Sequence, residues 1–290
     1  MSAAGVSVRE ALYEPPGPKM RKKIVLATII SLAALAALVV VIIRQFYITG
    51  QLEARYWSFF TRATTWKFLG RGLVGTLEAS VVAGIVAFAA GFLLMLGRIS
   101  SVKAVRGISV ALIEFTRGVP TLLLIYFFFL VAPQFGLKLP PLWKIAAPVA
   151  ISASGVVAEV LRSGVNAVPK GQREAALSLG MRSGKVFFKI VFPQAIRYVV
   201  PSLISELVIV VKDTTFAYVV NFPDLMQNAR VLITNYDAML SVYLLIAVIY
   251  IIINYLINKA SSLAAKRRNT KVIAQRNEKG VNNNYESTTE

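Results

Sequence analysis

Residues 24–43 read IVLATIISLAALAALVVVII, from Ile24 to Ile43, twenty residues without a charge between Lys23 and Arg44. About 20 helical residues cross the hydrocarbon core of a bilayer, so this run predicts a transmembrane helix. It is too long for the apolar part of a secretory signal, and no small-x-small cleavage site precedes the bulky stretch after Arg44. Working outward, apolar runs recur along the chain, and six spans are expected at 24–43, 73–95, 107–132, 144–163, 199–220 and 237–257. Composition agrees: of 290 residues, 56% are hydrophobic and 16% charged, with mean hydropathy +0.64. A soluble domain carries about 25% charged residues.

The chain has neither cysteine nor histidine. That excludes disulfides and thiolate metal centres and removes the commonest general base and metal ligand. No metal site, cofactor or catalytic residue is expected, and a membrane-embedded enzyme is disfavoured. The formal charge of +18 would suit nucleic acid. In a chain this apolar it reads instead as basic flanks facing anionic lipids, with no nucleic-acid partner.

Of the 32 Lys and Arg, 22 lie on connections that are inside if the N-terminus is inside, counting Arg162 at the adjoining end of the fourth span, and 8 on the opposite connections, counting Lys144 at its other end. Arg117 and Lys212 fall within spans. The positive-inside rule therefore predicts that both termini are cytoplasmic. Residues 44–72 weigh against this, with five basic residues assigned outside. Their Trp57, Phe59, Phe60, Trp66 and Phe68 suit either a helix lying in the outer headgroup layer or a plain loop.

Charged side chains within spans usually face a cavity, because one at the bilayer centre costs roughly 2.5–3.5 kcal/mol on insertion scales. The candidates are Glu78, Glu114, Arg117, Glu159, Glu206, Lys212 and Asp213. Glu114 and Arg117 share a helix face and can pair. Gly118 and Pro120 follow directly and would break or kink the helix. A broken helix at membrane depth is tolerated where it lines a cavity or is buried in protein. Glu114 with Arg117, and Glu159, would present both signs of charge to such a cavity. The plainer reading is that Glu114 and Arg117 neutralise each other near the inner interface. Arg162, one turn beyond Glu159, is expected to snorkel to the cytoplasmic headgroups. Lys212 and Asp213 point to different faces and need separate partners, while Glu206 shares a face with Asp213.

The connection from Arg162 to Tyr198 is long enough to carry its own structure. It contains Gly171-Gln172-Arg173-Glu174-Ala175-Ala176-Leu177-Ser178-Leu179-Gly180, whose Ala, Glu and Leu favour a helix of two to three turns. Gly180 suits its C-terminal stop. Ala175, Ala176 and Leu179 are expected on one small apolar face. A second short segment, Lys185 to Phe192, is expected to end at Pro193 and lie on the inner membrane surface or beneath the bundle. From these features alone, an interfacial amphipathic loop without a partner fits as well as a docking element.

Glu174-Ala175-Ala176, then Gly180, Ile190 and Pro193, resembles the EAA loop of ABC importer permeases, with Phe192 where that family usually has Leu. Ala158-Glu159-Val160-Leu161-Arg162 and Val168-Pro169-Lys170-Gly171-Gln172 look like its polar amino-acid branch. Glu114 to Pro120, Phe192-Pro193-Gln194-Ala195 and Lys212-Asp213-Thr214 fit the same branch, in order, over about residues 72–258. Val156 stands where that branch usually has Tyr. With the proline-rich Leu12 to Pro18 segment and the extra first span, it is similar to the second permease subunit of actinobacterial glutamate uptake systems.

The resemblance implies an all-α polytopic bundle of type I ABC importer permease kind, located in the bacterial cell membrane. It implies a cytoplasmic tail at 1–23, an extra helix at 24–43 and an extracytoplasmic connection at 44–71. The permease core would span 72–258 with its coupling loop within 164–198, followed by a basic, irregular tail at 259–290. It assigns ATPase coupling to Glu174, Ala175, Ala176, Leu179 and Gly180. Substrate-binding candidates are Glu114, Arg117, Glu159, Lys212 and Asp213. Implied partners are cytoplasmic ATPase subunits, a second permease of different sequence, an extracytoplasmic solute-binding protein and membrane lipids. A P-loop in this chain would have made a separate ATPase unnecessary, but the nearest stretch, GMRSGKV from Gly180 to Val186, has three residues between its glycines and Val186 in place of Ser or Thr. The rival reading is a secondary transporter driven by an ion gradient, its intramembrane acids carrying protons.

Overall fold

The computed structural model describes residues 17–260. Most of the Leu12 to Pro18 segment and the tail that includes Lys266-Arg267-Arg268 lie outside the described residues. Every element among the described residues is helical. Chain contacts separate two units, Met1–Ser58 and Phe59–Glu290.

In the first unit, α1 runs over Pro18–Ile48, longer at both ends than the expected 24–43. Pro18 sits in its first turn, where the missing N–H costs nothing. None of its side chains is buried.

The second unit carries the rest. Helix α2 spans Ala63–Arg98, and α3 spans Lys103–Gly118. Helix α4, Thr121–Tyr126, continues through a π turn at Phe127–Val131 and a 3-10 turn at Ala132–Phe135. Helix α5 spans Pro141–Ala167, and the short α6 spans Lys170–Ser178. Helix α7, Ser183–Val186, runs through a π turn at Phe187–Val191 into α8, Phe192–Asp213, and a 3-10 turn at Thr214–Val220. Helix α9 spans Leu225–Tyr236 and α10 spans Met239–Ala260. Among the described residues, five helical stretches, α1 among them, are long and apolar enough to cross a membrane, and six if α3 and α4 form one bent span. All six expected spans are matched in this way.

Three expectations are corrected. Residues 44–72 are neither a single separate helix nor a plain loop. They hold the end of α1, 3-10 turns at Ala54–Tyr56 and Ser58–Thr61, and the start of α2, which includes Trp66 and Phe68. Phe59 is buried and stacks on Tyr236 at 4.4 Å between ring centroids. Second, Pro193 does not end the Lys185 to Phe192 segment. The wider π turn before it absorbs the missing N–H, and the side chain of Gln194 donates to the carbonyl of Ile190 at 2.9 Å. That segment is therefore one end of a candidate span, Ser183–Val220. Third, the apolar face expected for the loop helix is split, as described below.

The core forms where α2 meets α5. In lipid there is little hydrophobic gain between helices, so close backbone approach between small residues carries the packing. Ala79, Ala83 and Ala87 of α2 pack with Ala146, Ala150 and Ala153 of α5. At Gly91 a Cβ would lie 2.7 Å from the Ser154 carbonyl oxygen. Toward the other end of these helices, Met95, Ile113, Val157, Leu161 and Val199 form a second cluster.

Candidate functional site

The Gly118-Val119-Pro120 sequence breaks the third span: α3 and the stretch from α4 to Phe135 bend by 96°. Val119 takes an extended conformation (φ −88°, ψ 126°), as the ring of a following proline requires. The break brings the last two turns of α3, with Glu114 and Arg117, to the packed ends of α2 and α5.

A charge cluster results. Arg98, the last residue of α2, lies 2.8 Å from Glu159 of α5, an ion pair by distance without an aligned hydrogen bond. Arg162 donates twice to the other oxygen of Glu159, from Nε at 2.9 Å and Nη2 at 2.8 Å. Its head is thus engaged by a charge-assisted pairing with a carboxylate one turn away. Glu114 lies 3.5 Å from Arg117 and 3.8 Å from Arg98. Three guanidinium groups thus meet two carboxylates, and one positive charge is left over. Arg117 is the most weakly engaged, with its single long contact. Glu159 is mostly enclosed, while Glu114 and Arg117 are open to solvent or lipid.

The remaining candidates lie elsewhere. Asp213, at the end of α8, accepts from the hydroxyl of Thr121 at 2.9 Å, and Thr121 is also 2.9 Å from the Ser152 hydroxyl of α5. This polar knot ties the first residue after the helix break to two other helices. Lys212 is exposed and has no ion pair among the described residues. Glu206 is buried and lines an apolar cavity of about 380 Å³ between α2 and α8, with Val81, Ile85 and Leu207. Glu78 lines a separate cavity of about 370 Å³ with Arg71 and Asn228. So Glu114, Arg117 and Glu159 come together, whereas Lys212 and Asp213 do not join them. Sequence reasoning missed Arg98, Thr121 and Ser152. Arg98 read as one more basic flank residue, and nothing local to it points at Glu159.

Helix α6 has nine residues and ends as its sequence predicts. Gly180 adopts φ +78°, its N–H donates to the Leu177 carbonyl at 2.9 Å, and the Met181 N–H donates to the Ala176 carbonyl at 3.2 Å. This is the paired closure of a Schellman motif, which needs a left-handed residue. Ala176 is buried against Val168, Val186, Val191 and Ala195. Glu174, Ala175 and Leu179 instead face outward, and Leu179 is 83% exposed. The split arises because the helix stops at Ser178, so Leu179 leaves the face that Ala176 occupies. An apolar side chain so exposed beside a rigid short helix is suited to meeting another surface.

Comparison with known proteins agrees with this architecture. Residues 87–269 match the family described as binding-protein-dependent transport system inner membrane component. The glutamate transport system permease protein GluD of Corynebacterium glutamicum is 32% identical over 235 residues, 78% of this chain and 86% of that protein. A probable glutamine ABC transporter permease protein, GlnP of Bacillus subtilis, is 33% identical over 203 residues, 69% of this chain and 91% of that one. Among solved structures, an amino acid ABC transporter with histidines superposes with a TM-score of 0.67 at 30% identity, covering 72% of this chain and 98% of that one. The MetNI methionine ABC transporter shares the fold, with a TM-score of 0.58 at 20% identity over 71% and 98% of the two chains. With a family match over more than half its length and relatives of this identity, the chain belongs to the binding-protein-dependent transport system inner membrane components.

Proposed function

We propose that this chain is the transmembrane permease subunit of an ATP-driven amino-acid importer in a bacterial cell membrane, with glutamate as its substrate. The observation that carries this reading is the likeness to a glutamate transport permease over most of both chains. The surplus positive charge among Arg98, Arg117 and Arg162 suits an anionic amino acid, and it offsets the two acids that would otherwise repel one. Substrate contacts fall to Glu114, Arg117 and Glu159, while Lys212 and Asp213, which lie apart from that cluster, contribute from the face that meets a second, different permease subunit.

Hydrolysis of ATP belongs to a separate cytoplasmic chain. Helix α6 docks on it through Glu174, Ala175 and Leu179, while Ala176 and Gly180 hold the helix to the bundle and shape its end. Closure of the ATPase then rocks the helices about the bend between α3 and α4, giving alternating access. An extracytoplasmic binding protein delivers the solute, and both termini lie in the cytoplasm. The core at 72–258 follows an extra N-terminal span.

The test is uptake of labelled glutamate in cells with and without the gene, comparing ATP depletion with collapse of the ion gradients. Gene-dependent uptake that fails on ATP depletion and survives loss of the gradients is expected. Uptake that dies with the gradients while ATP stays high would make the protein a secondary transporter. Absence of gene-dependent uptake would remove glutamate as substrate.

A further inference from the structure

A cavity of about 500 Å³ opens beside α6, bounded by the end of α2, the end of α5 and the stretch from α7 through its π turn. Lys170 and Arg173 line it, together with Ser101, Ser183 and Asn166. Its other wall is apolar, formed by Val165, Val186, Phe187 and Val191. Among the described residues no acid lines it, and Glu174, next to Arg173 in sequence, does not reach it. Arg182, Lys185 and Lys189, all exposed, crowd the neighbouring segment.

We propose that this cavity holds the phosphate headgroup and first acyl segment of an anionic phospholipid from the leaflet that α6 faces. Two features select that ligand. The cations and hydroxyls match a phosphate diester, and basic pockets between helix ends on the cytoplasmic side are known to take anionic headgroups. The apolar wall would contribute nothing to a free inorganic anion, but it gains from each methylene of a chain it removes from water. A lipid seated there touches both the fixed end of α5 and the start of α6, so it braces the helix against the bundle. The consequence for coupling rests on the proposed function; the lipid site itself does not.

The experiment is native mass spectrometry of the full-length chain in its native assembly, released from detergent containing equal phosphatidylglycerol and phosphatidylethanolamine. The expected result is selective retention of phosphatidylglycerol. Retention weakens roughly 25-fold in the Lys170→Gln/Arg173→Gln double variant, at about fivefold per basic side chain near an anionic surface. Ser101→Trp, which fills the cavity and leaves both cations, also loses the lipid. Equal retention of the two lipids by the wild type would overturn the proposal, as would unchanged retention in both variants. Displacement of the lipid by millimolar inorganic phosphate would overturn the lipid source. Retained phosphatidylglycerol in a protein without glutamate uptake would remove the substrate reading and leave this site standing.

Discussion

Gly180 closes α6 with φ +78°, and substitution there separates backbone geometry from side-chain contact. A residue with a Cβ pays about 1–2 kcal/mol to sit in the left-handed region, whereas Asn visits it routinely. A branched side chain is worse still. That energy corresponds to about a 5- to 30-fold shift against the closed helix end. The shift matters because α6 has nine residues, fewer than the roughly 12–15 an isolated helix needs. Its order therefore depends on the burial of Ala176 and on the two closing hydrogen bonds, from Gly180 to Leu177 and from Met181 to Ala176. Nothing lies within 4 Å of a Cβ built at Gly180, so steric collision within the chain is not the cause. Gly180→Asn should keep most glutamate uptake, Gly180→Ala should lose several-fold, and Gly180→Val should lose most. Initial uptake rates normalised to the amount of protein in the membrane provide the assay. ATP hydrolysis by the reconstituted assembly reports whether coupling, rather than folding, has failed. Wild-type uptake by Gly180→Val, or equal damage from Asn and Val, would refute the geometric argument.

Other expectations follow from the same structure. Arg117→Gln removes the guanidinium with the weakest internal engagement, and a hydrogen bond to a charged group is worth roughly 1.5–3 kcal/mol. The half-saturation for glutamate should rise about 10- to 100-fold with a smaller change for a neutral amino acid, and an unchanged value would take Arg117 out of the site. Glu159→Gln strips Arg98 and Arg162 of a shared carboxylate and should lower the thermal midpoint of the solubilised protein. Adding Arg98→Gln to it should cost less than the sum of the single changes, since both remove one ion pair, and strict additivity would deny the pair. Asp224 is fully buried, accepts from the Gln227 N–H at 2.7 Å to cap α9, and leaves its other oxygen without a partner. Burial pushes its carboxyl up to about 6, against the lowering effect of backbone N–H donors. The unfolded value is about 3.9, so the native state holds this proton more tightly. Its stabilisation is complete below about pH 4 and is lost as pH rises through about 6, roughly 3 kcal/mol in all. Asp224→Asn keeps the cap and should abolish that slope in thermal melts, and parallel melting curves for the two proteins would contradict the assignment.

Much of the site was legible because its signals are local. Gly118 and Pro120 together predict a break, since the proline ring disfavours the helical conformation at Val119 and removes an N–H that a helix needs. Gly180 ends α6 for an equally local reason. The hydrogen-bonding demand of a bilayer makes each apolar run helical, so span positions could be read directly. The extension of α8 back to Ser183 was not legible, because a proline alone reads as a stop. Only the π turn upstream shows how the chain passes it.

A helical membrane protein, the break in its third span and the short loop helix with its glycine stop all follow from the order of the amino acids. Each depends on backbone chemistry within a few residues. Tertiary structure alone decided that Arg98 pairs with Glu159, that Asp213 takes Thr121 as its partner, and that Ala176 turns inward while Leu179 turns out. Those contacts join residues 61 and 92 positions apart, or depend on which side of a helix meets the bundle. They are set by how closely small residues let α2 and α5 approach, a property of the whole packing that no single segment carries.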